Sequence, residues 1–489
     1  MNSRIENCTL FKTLIACVIA SALLFLTGCA TNPATGKRQI MLMSEDQEIA
    51  LGREADPQII SEYGLYETDP LSSYVDSIGQ KLASESHRPQ LEWQFKVVDS
   101  PAVNAFALPG GYIYVTRGIL AHFNSEAEMA AVLGHEIGHV TARHTASRMS
   151  KAQLVGVSLG VGGLLVPEFN RYSGLAQTSL GMLFLKFSRD DERQADDLGV
   201  VYAAKAGYDP QAFIEVFEML EGVSEQSSRS PLPNWLSTHP SPENRSARII
   251  DATENYRDQA RTLNRDIYVT KLNGMVFGDD PKEGFMKDDT FIHPELAFAL
   301  QFPSGWKIQN TKQFVLAVKP SEDAALKLTM TGKQENPETN ARKVAEQAGY
   351  QIVQAKEERI HGNEAFIGLF EGQDQQTGAV HRSLNTFIQF RDTVYRIEGI
   401  PKGNDVSSYQ AVFLKSMRSF RRLRSGEGTD AVPERIKIIR VDKRRTLREF
   451  IEKYSTGSAK PETVAFLNDK SLDALVNPGD LIKVVVKGR

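Results

Sequence analysis

The stretch AVLGHEIGHVTARH, residues 131–144, places two histidines four positions apart inside an apolar segment. Ser125, followed three positions later by Glu128, forms a capping-box pattern, so we expect a helix that begins there. Residues four apart lie on the same side of a helix. His135 and His139 therefore point to one place, and any fold that uses them as metal ligands must bring a further ligand to that place.

A glutamate between the two histidines completes an HExxH motif. Neutral imidazoles are zinc ligands, at Zn–N distances of about 2.0–2.1 Å. Glu136 lies about 100° around the helix from His135, so its carboxylate would stand beside a metal without replacing a ligand. This position suits a general base that activates water. The alternative is a helix whose histidines only hydrogen-bond to neighbours, but the chain has only nine histidines and a chance match is rare.

Catalytic zinc needs three protein ligands and one open position, so a third ligand must come from elsewhere. The segment SRDDERQADDLGVVYAAKAGYDP, residues 188–210, is predicted to form a helix that Ser188 caps and Gly207 ends. Glu192 and Asp196 share one face of it. Glu192 can bind the metal, and Asp196 can accept a hydrogen bond from the outer nitrogen of a ligating histidine. Taken alone, the pair is better explained as a solvated acidic helix start.

Four motifs in order resemble the gluzincin metallopeptidases that include HtpX-like proteases, CaaX-prenyl proteases and periplasmic outer-membrane assembly proteases. They span roughly residues 45–255 and are VNAFALPGGYIYVTRGIL (103–120), HEIGHVTARH, SRDDERQAD and THPSPENR (238–245). The resemblance implies a metalloendopeptidase with one Zn²⁺ per chain. The roles it implies are zinc ligands at His135, His139 and Glu192, a general base at Glu136, and an orienting residue at Asp196.

Two residues of THPSPENR are further candidates for the active site. The tetrahedral oxyanion of peptide hydrolysis needs a donor besides zinc, and the resembling proteins carry a histidine at the position of His239. His239 either donates to that oxyanion or closes the open zinc position and keeps the enzyme latent; a loop histidine without a role is the remaining alternative. Arg245 pairs with a substrate or site carboxylate, or is an ordinary surface arginine.

The segment NAFALPGGYIYVTRG is predicted to form two strands around Pro109-Gly110-Gly111. A strand beside the metal helix offers a free edge, to which an extended peptide can add through main-chain hydrogen bonds with little sequence preference. A simple core hairpin is the alternative, and the two are compatible. The residues predicted to bind substrate in this way are Asn104, Ala105, Phe106 and Ala107.

The start of the chain has the pattern of an exported protein. Two basic residues precede an apolar run at 13–26 that is too short for a typical membrane span but suits a signal peptide. The sequence LTGC at 26–29 resembles a bacterial lipobox, which implies a signal peptide at 1–28 and a lipid-modified Cys29. Ala30 after it, rather than an aspartate, implies transfer to the periplasmic face of the outer membrane.

Length and composition indicate several domains and limit the partners. Removal of residues 1–28 leaves 461 of 489 residues, too many for one core, and the formal charge of −4 argues against nucleic acid as a general partner. The other two of the three cysteines lie in the signal, so a metal site must use histidine and carboxylate. We predict an α+β multidomain chain: a tether at 29–44, a mainly helical metalloprotease domain with a small sheet at 45–265, an antiparallel-sheet α+β domain of unknown role at 280–424, a linker at 425–434, and a small βααβ module at 435–489.

The C-terminal segment resembles LysM modules, which bind N-acetylglucosamine polymers such as peptidoglycan. The resemblance rests on the spacing of TLREFIEKY, AFLN and NPGDLIKVV. RRTL at 444–447 stands where these modules usually have GDTL, so the pattern indicates the fold more than the glycan ligand.

The predicted function is a zinc-dependent metalloendopeptidase of the bacterial envelope that cleaves misfolded or unassembled periplasmic and outer-membrane proteins. Its expected partners are those proteins, the membrane through lipidated Cys29, and peptidoglycan. Two alternatives stay open: a zinc-stabilised periplasmic chaperone or assembly factor with latent peptidase activity, and a peptidoglycan-associated scaffold.

Overall fold

A computed structural model of the chain describes residues 29–66, 69–159, 186–226, 235–240, 244–256, 261–373, 380–429 and 431–488. The predicted signal peptide and residues 241–243 of the THPSPENR motif lie outside these ranges. Within the described residues, no helix has both the length and the apolar character needed to cross a membrane.

The segment predicted as a tether is folded. A β-hairpin of β1 (Cys29–Thr31) and β2 (Arg38–Ile40) pairs Cys29 with Ile40 and Thr31 with Arg38. The hairpin is fixed to the helical domain by side-chain hydrogen bonds, among them a bond of 3.2 Å from Asn32 Nδ2 to the carbonyl of Ala142. The following helices are α1 (Glu45–Tyr63) and α2 (Asp69–Ser84).

A three-stranded sheet supports the helical domain. It contains β3 (Gln94–Val98), β4 (Ala105–Leu108) and β5 (Tyr112–Thr116) in the order β3-β5-β4, with β5 parallel to β3 and antiparallel to β4. The turn between β4 and β5 needs positive φ at Gly110 and Gly111, +82° and +104°, which glycine adopts at little cost. β4 thus lies at one edge of this sheet and β3 at the other.

The remaining helices of this domain surround one central helix. They are α3 (Arg117–His122), α4 (Glu126–Thr141), α5 (His144–Leu159), α6 (Arg189–Lys205), α7 (Ala212–Gln226), α8 (Trp235–Thr238), α9 (Arg245–Glu254) and α10 (Arg265–Lys271). All residues of α4 are buried, because α2, α6, α7 and β4 all pack against it. Helix α4, with the two histidines of the HExxH motif, is therefore enclosed on every side.

The middle of the chain is an antiparallel α+β domain with its own hydrophobic core. After β6 (Val276–Phe277), two sheets form in the orders β17-β9-β8-β7 and β10-β11-β12-β16-β15-β14-β13. The elements are β7 (Phe285–Lys287), β8 (Thr290–His293), β9 (Phe298–Gln301), β10 (Lys307–Asn310), β11 (Phe314–Val318), β12 (Ala324–Lys333), α11 (Pro337–Gln347), β13 (Gln351–Ile360), β14 (Asn363–Gln373), β15 (Val380–Phe390), β16 (Thr393–Pro401), α12 (Val406–Met417) and β17 (Arg421–Arg422).

The C-terminal part has the expected strand–helix–helix–strand order. Its long strands β18 (Glu434–Arg440) and β21 (Leu481–Lys487) pair antiparallel and enclose β19 (Arg445–Thr446), α13 (Leu447–Tyr454), α14 (Pro461–Leu467) and β20 (Leu475–Val476). This part shares one hydrophobic core with the helical domain, and β18 also pairs with β6. It is therefore joined to the helical domain by packing as well as by the polypeptide chain.

Candidate metal centre

Helix α4 begins where the sequence predicts. The Ser125 hydroxyl accepts a hydrogen bond from the Glu128 amide, at 3.1 Å. In a full capping box the Glu128 carboxylate would accept a hydrogen bond from the Ser125 amide. It accepts instead from the Asn124 amide, at 2.9 Å. The cap fixes the start of α4, and with it the direction in which the HExxH side chains leave the helix.

Small residues allow α4 and α6 to approach closely. A Cβ built on Gly138 would lie 2.9 Å from the carbonyl oxygen of Ala195, and one on Gly134 would lie 3.1 Å from that of Gly199. Real Cβ contacts are rarely this short. The contact between the two backbones brings the first turns of α6 beside the two histidines of α4, which is why Glu192 can reach them.

Four buried side chains offer ligand atoms to one point: His135, His139, Glu192 and His239. The imidazole Nε2 atoms of His135 and His139 lie 3.0 Å apart. The Glu192 carboxylate is 3.6 Å from the first and 3.4 Å from the second. The structure therefore brings together the three side chains that the sequence assigns as ligands, and it adds His239 to the group.

The donor set fits a divalent cation with nitrogen and oxygen ligands. Tetrahedral zinc with ligands at about 2.0–2.2 Å separates them by about 3.3–3.6 Å, close to the separations found here. The outer nitrogens, Nδ1 of His135 and of His139, both face hydrogen-bond partners, so the two Nε2 lone pairs face each other and a carboxylate. Three acceptors at this spacing repel one another unless a cation lies between them.

Asp196 and Arg245 form the outer layer of the site. Asp196 Oδ1 lies 2.9 Å from His135 Nδ1, in the position expected for a residue that fixes the tautomer of a ligating histidine. Arg245 donates to both oxygens of Asp196, at 2.7 and 2.9 Å, and lies 3.4 Å from Glu192. Arg245 is only 4% exposed, which excludes the surface alternative. Its guanidinium contacts two site carboxylates, which is the site-carboxylate alternative of the sequence prediction.

Glu136 lies beside the ligands. Its Oε1 accepts a hydrogen bond of 3.1 Å from the indole of Trp235 and lies 3.6 Å from His239 Nε2. The Trp235 ring is stacked on the His239 imidazole, with centroids 4.5 Å apart. Trp235 was not found from the sequence, because a tryptophan outside the motifs carries no spacing signal.

His239 stands inside the donor group. Its Nδ1 is 3.1 Å from Glu192 Oε1 and 3.4 Å from His135 Nε2. These separations are those of neighbouring ligands of one ion. The imidazole is also held from its other side, since Nε2 points to Glu136.

A third histidine of the HEIGHVTARH motif joins the site. His144 Nδ1 lies 2.9 Å from His139 Nδ1, and its Nε2 lies 2.8 Å from Gln194 Oε1. The spacing of the motif does not predict a role for this histidine. The chain turns at Arg143, which has a φ of +59°, and this turn brings His144 back beside α4.

Burial and neighbouring charges shift the pKa values of the site residues in opposite directions. Burial lowers the pKa of His135 and of His139 well below the usual value, which favours the neutral form that ligates metals. Burial raises the pKa of Glu136 and opposes ionisation of Glu192, but the nearby His239 and His135 lower the pKa of Glu192 overall. Burial raises the pKa of Asp196 to about 6, although the Arg245 guanidinium opposes this.

The predicted substrate strand lies next to the site. The main-chain N–H of Trp235 donates to the carbonyl of Val103, at 3.1 Å, so the start of β4 is tied to the segment that carries His239. Thr116 N donates to the carbonyl of Asn104, and alternation along the strand turns the amides of Ala105 and Ala107 away from β5. Phe106 is buried, with its ring stacked on Tyr114.

Comparison with known proteins identifies the helical domain. Residues 71–253 match the description Peptidase family M48. This segment is an M48 peptidase domain. The match contains all four residues that offer ligand atoms, so the gluzincin resemblance of the sequence is confirmed.

Curated relatives of the M48 domain include metallopeptidases of two kinds. The mitochondrial metalloendopeptidase OMA1 of Arabidopsis thaliana is 37% identical over 38% of this chain and 36% of its own length. The beta-barrel assembly-enhancing protease of Escherichia coli is 29% identical over 53% of this chain and 56% of its own. A putative beta-barrel assembly-enhancing protease of Vibrio cholerae is 30% identical over 43% and 44%. The matched part of the chain thus covers between about a third and somewhat over half of the length of these relatives.

Proposed function

We propose that the chain is a zinc-dependent metalloendopeptidase. The observation that carries the proposal is the buried donor group with the Glu136 carboxylate beside it. His135, His139 and Glu192 would hold the zinc ion, which would supply Lewis acidity and make water acidic enough to lose a proton near neutral pH. Glu136 takes the proton of the attacking water and delivers it to the leaving amine, while Trp235 keeps its carboxylate in place.

Replacement of Glu136 by glutamine tests this function. Glu136→Gln keeps the shape and the hydrogen-bonding oxygen of the side chain but removes the base, so casein cleavage should be lost while zinc content stays at the wild-type level. The wild-type protein with a chelator serves as the control for metal dependence. Cleavage by Glu136→Gln at the wild-type rate would contradict the assigned base.

We propose that His239, in the conformation described above, closes the open coordination position of the zinc site. The position of its Nδ1 among the ligand atoms supports this role over that of an oxyanion donor. The two roles predict opposite results for His239→Ala. Removal of a closing ligand should raise casein cleavage, whereas removal of an oxyanion donor should lower it by about 10²–10³. A decrease of that size in casein cleavage by His239→Ala would contradict the closing role and support the role of oxyanion donor.

The same closure favours a second function, an assembly factor with latent peptidase activity. A protein of this kind would act mainly by binding unassembled clients, and proteolysis would follow only when His239 moves away. Complementation separates the two functions. The protease reading predicts that Glu136→Gln fails to restore envelope integrity in a strain that lacks the gene, and full rescue by this variant would favour the assembly factor.

We propose misfolded or unassembled envelope proteins as the substrates, bound along β4. Two of the relatives are bacterial beta-barrel assembly-enhancing proteases, which supports the class of substrate. The amide of Ala107 points away from β5 on a residue that is only partly buried, which suits main-chain pairing with an extended chain of any sequence. Ala105 points the same way but has no exposed surface. An Ala107→Pro variant removes this amide and should raise KM for casein while zinc content stays at the wild-type level.

We also propose a location at the periplasmic face of the outer membrane, through lipidation of Cys29. The lipobox-like LTGC segment supports this anchor. Metabolic labelling with a radioactive fatty acid checks it. Wild-type protein should be labelled and found in the outer-membrane fraction, and Cys29→Ala should be unlabelled.

Peptidoglycan is proposed as a ligand of the βααβ part, on the strength of its LysM-like spacing. Because this part shares a core with the M48 domain, a pull-down should use the full chain rather than a truncated one. Sedimentation with purified peptidoglycan is the expected result. If the full chain stays in the supernatant, the βααβ part does not bind peptidoglycan and its role is structural.

A further inference from the structure

A chain of hydrogen bonds runs from the metal ligand His139 to the N-terminal hairpin. His139 Nδ1 lies 2.9 Å from His144 Nδ1, and His144 Nε2 lies 2.8 Å from Gln194 Oε1. The same oxygen of Gln194 lies 3.2 Å from Asn32 Nδ2. His144 and Asn32 are 3% and 4% exposed, so water does not compete freely for these contacts.

The proton positions along this chain follow from one requirement. A histidine that ligates a metal through Nε2 carries its proton on Nδ1, so His139 must donate to His144 Nδ1. His144 then carries its own proton on Nε2 and donates to Gln194 Oε1. The Asn32 amide is a second donor to that oxygen, so each acceptor in the chain meets a donor.

The N-terminal hairpin is held in place by further hydrogen bonds and can therefore anchor the end of this series of hydrogen bonds. Asn32 Nδ2 and Gln39 Nε2 each lie 3.2 Å from the carbonyl of Ala142, the residue that caps the C-terminus of α4. Asn32 Oδ1 accepts from the amides of Ala34 and Thr35, which closes the turn of the hairpin. One side chain therefore shapes the hairpin, holds the end of α4, and contacts Gln194.

We propose that His144, Gln194 and Asn32 are positioning residues for His139, and that the hairpin just after Cys29 is thereby part of the metal centre. The inference rests on the proposed metal site. The oxygen of Gln194 accepts a hydrogen bond from His144 and so fixes the tautomer of His144. His144 in turn fixes the ring orientation and the tautomer of His139. Loss of outer hydrogen bonds of this kind typically weakens metal binding by about 10–100-fold.

Two substitutions of Gln194 separate hydrogen bonding from packing. Gln194→Glu keeps the acceptor, and the side chain is half-buried, so a carboxylate is tolerated there. Gln194→Met has a similar length but no acceptor of comparable strength. Zinc affinity of the full chain, measured by competition with a chromophoric chelator, should stay near wild type in Gln194→Glu and fall by about tenfold or more in Gln194→Met.

Asn32→Asp tests the contribution of the hairpin. Aspartate keeps the acceptor that closes the hairpin turn, but it places an oxygen against Gln194 Oε1 and the Ala142 carbonyl. Zinc affinity should fall, by a smaller factor than in Gln194→Met. Ser44→Ala is the matched control, because it weakens only the cap of α1 beside the hairpin and should leave zinc affinity unchanged.

The outcomes distinguish this inference from the proposed function. If the wild-type chain binds no zinc, the metal site itself is wrong. If it binds zinc and Gln194→Met and Gln194→Glu bind it equally, or Asn32→Asp matches Ser44→Ala, the positioning role is overturned while the metal site stands. Circular dichroism of each variant, with an unchanged spectrum expected, shows that the comparison is made between folded proteins.

Discussion

Arg245 carries most of the charge balance around the ligands. It neutralises Asp196 at two oxygens and also approaches Glu192, all three being nearly inaccessible to water. Removal of one partner of a buried pair leaves an uncompensated charge, which costs about 3–5 kcal/mol. The free energy of unfolding of the metal-free domain should therefore depend strongly on the Arg245 guanidinium.

Arg245→Leu should lower the free energy of unfolding of the metal-free protein by about 3–5 kcal/mol. Arg248→Leu is the matched control, because Arg248 pairs with the exposed Asp197 on the same two helices and should cost at most about 1 kcal/mol. Urea unfolding of both variants measures the difference. Equal effects would show that Arg245 does not compensate the site carboxylates.

Trp235→Phe should slow catalysis without loss of zinc. Phenylalanine keeps an aromatic ring against His239 but cannot donate to Glu136. Hydrogen bonds to charged groups contribute about 1.5–3 kcal/mol, so kcat should fall by about tenfold or more. An unchanged kcat, with zinc content equal to wild type, would contradict a role for the indole in holding the base.

The sequence predicts the residues whose spacing lies within one element. His135, Glu136 and His139 follow from helical periodicity, and Glu192 follows from its motif. Trp235 and His144 do not, because their roles come from a short helix and from a left-handed turn at Arg143 that return them to the site. The surface alternative for Arg245 fails because exposure depends on tertiary packing, which an arginine in a loop motif does not reveal.

At the scale of elements, the site depends on how closely α4 and α6 pack. Gly138 faces the backbone of Ala195, and a methyl group there must push the two helices apart. Glu192, one turn before Ala195 on α6, would then move away from the imidazoles. Alanine normally stabilises a helix relative to glycine by about 1 kcal/mol, so the two effects have opposite signs.

Gly138→Ala should therefore weaken zinc binding and destabilise the domain by about 1–3 kcal/mol, the cost of overpacking. Chelator competition and urea unfolding measure the two effects. A gain in stability of the size expected from helix propensity alone would contradict the close approach.

Element boundaries were predicted best where a cap or a turn marks them. Ser125 and Ser188 cap α4 and α6, and the Pro109-Gly110-Gly111 turn separates β4 from β5, as expected. Strand β13 has no such signal, because most of its residues are exposed and its sequence QIVQAKEERI has no apolar alternation. An edge strand of this kind is specified by its partner β14 rather than by its own sequence.

At the scale of the whole molecule, the C-terminal part stabilises the peptidase. Lys483 of β21 is fully buried and donates to the carbonyls of Ala121 and Phe123, at 2.9 and 3.0 Å, at the end of α3. These carbonyls immediately precede the cap of α4. The sequence gives no sign of this contact, since a lysine in a strand normally faces solvent and the pattern predicts a separate module after a linker.

The buried lysine makes stability depend on pH. Burial lowers the pKa of Lys483 from 10.5 to about 7 in the folded protein. Between these values the unfolded chain binds more protons than the folded one, so the contribution of Lys483 to the free energy of unfolding rises with pH in that window, and its penalty is greatest below it. Lys483→Met removes this dependence.

Urea unfolding at about pH 7 and at about pH 10 measures the effect. The stability of the wild-type protein relative to Lys483→Met should increase between the two conditions. Parallel pH dependences of the two proteins would contradict a lysine that is buried in the contact between β21 and α3.

The central claim is that His135, His139 and Glu192 hold one zinc ion, and zinc analysis of the purified protein tests it most directly. The account predicts about one zinc per chain in the wild type and in Glu136→Gln, and a large loss in Glu192→Ala. A wild-type chain without zinc, or a Glu192→Ala variant that binds zinc as tightly as the wild type, would contradict it.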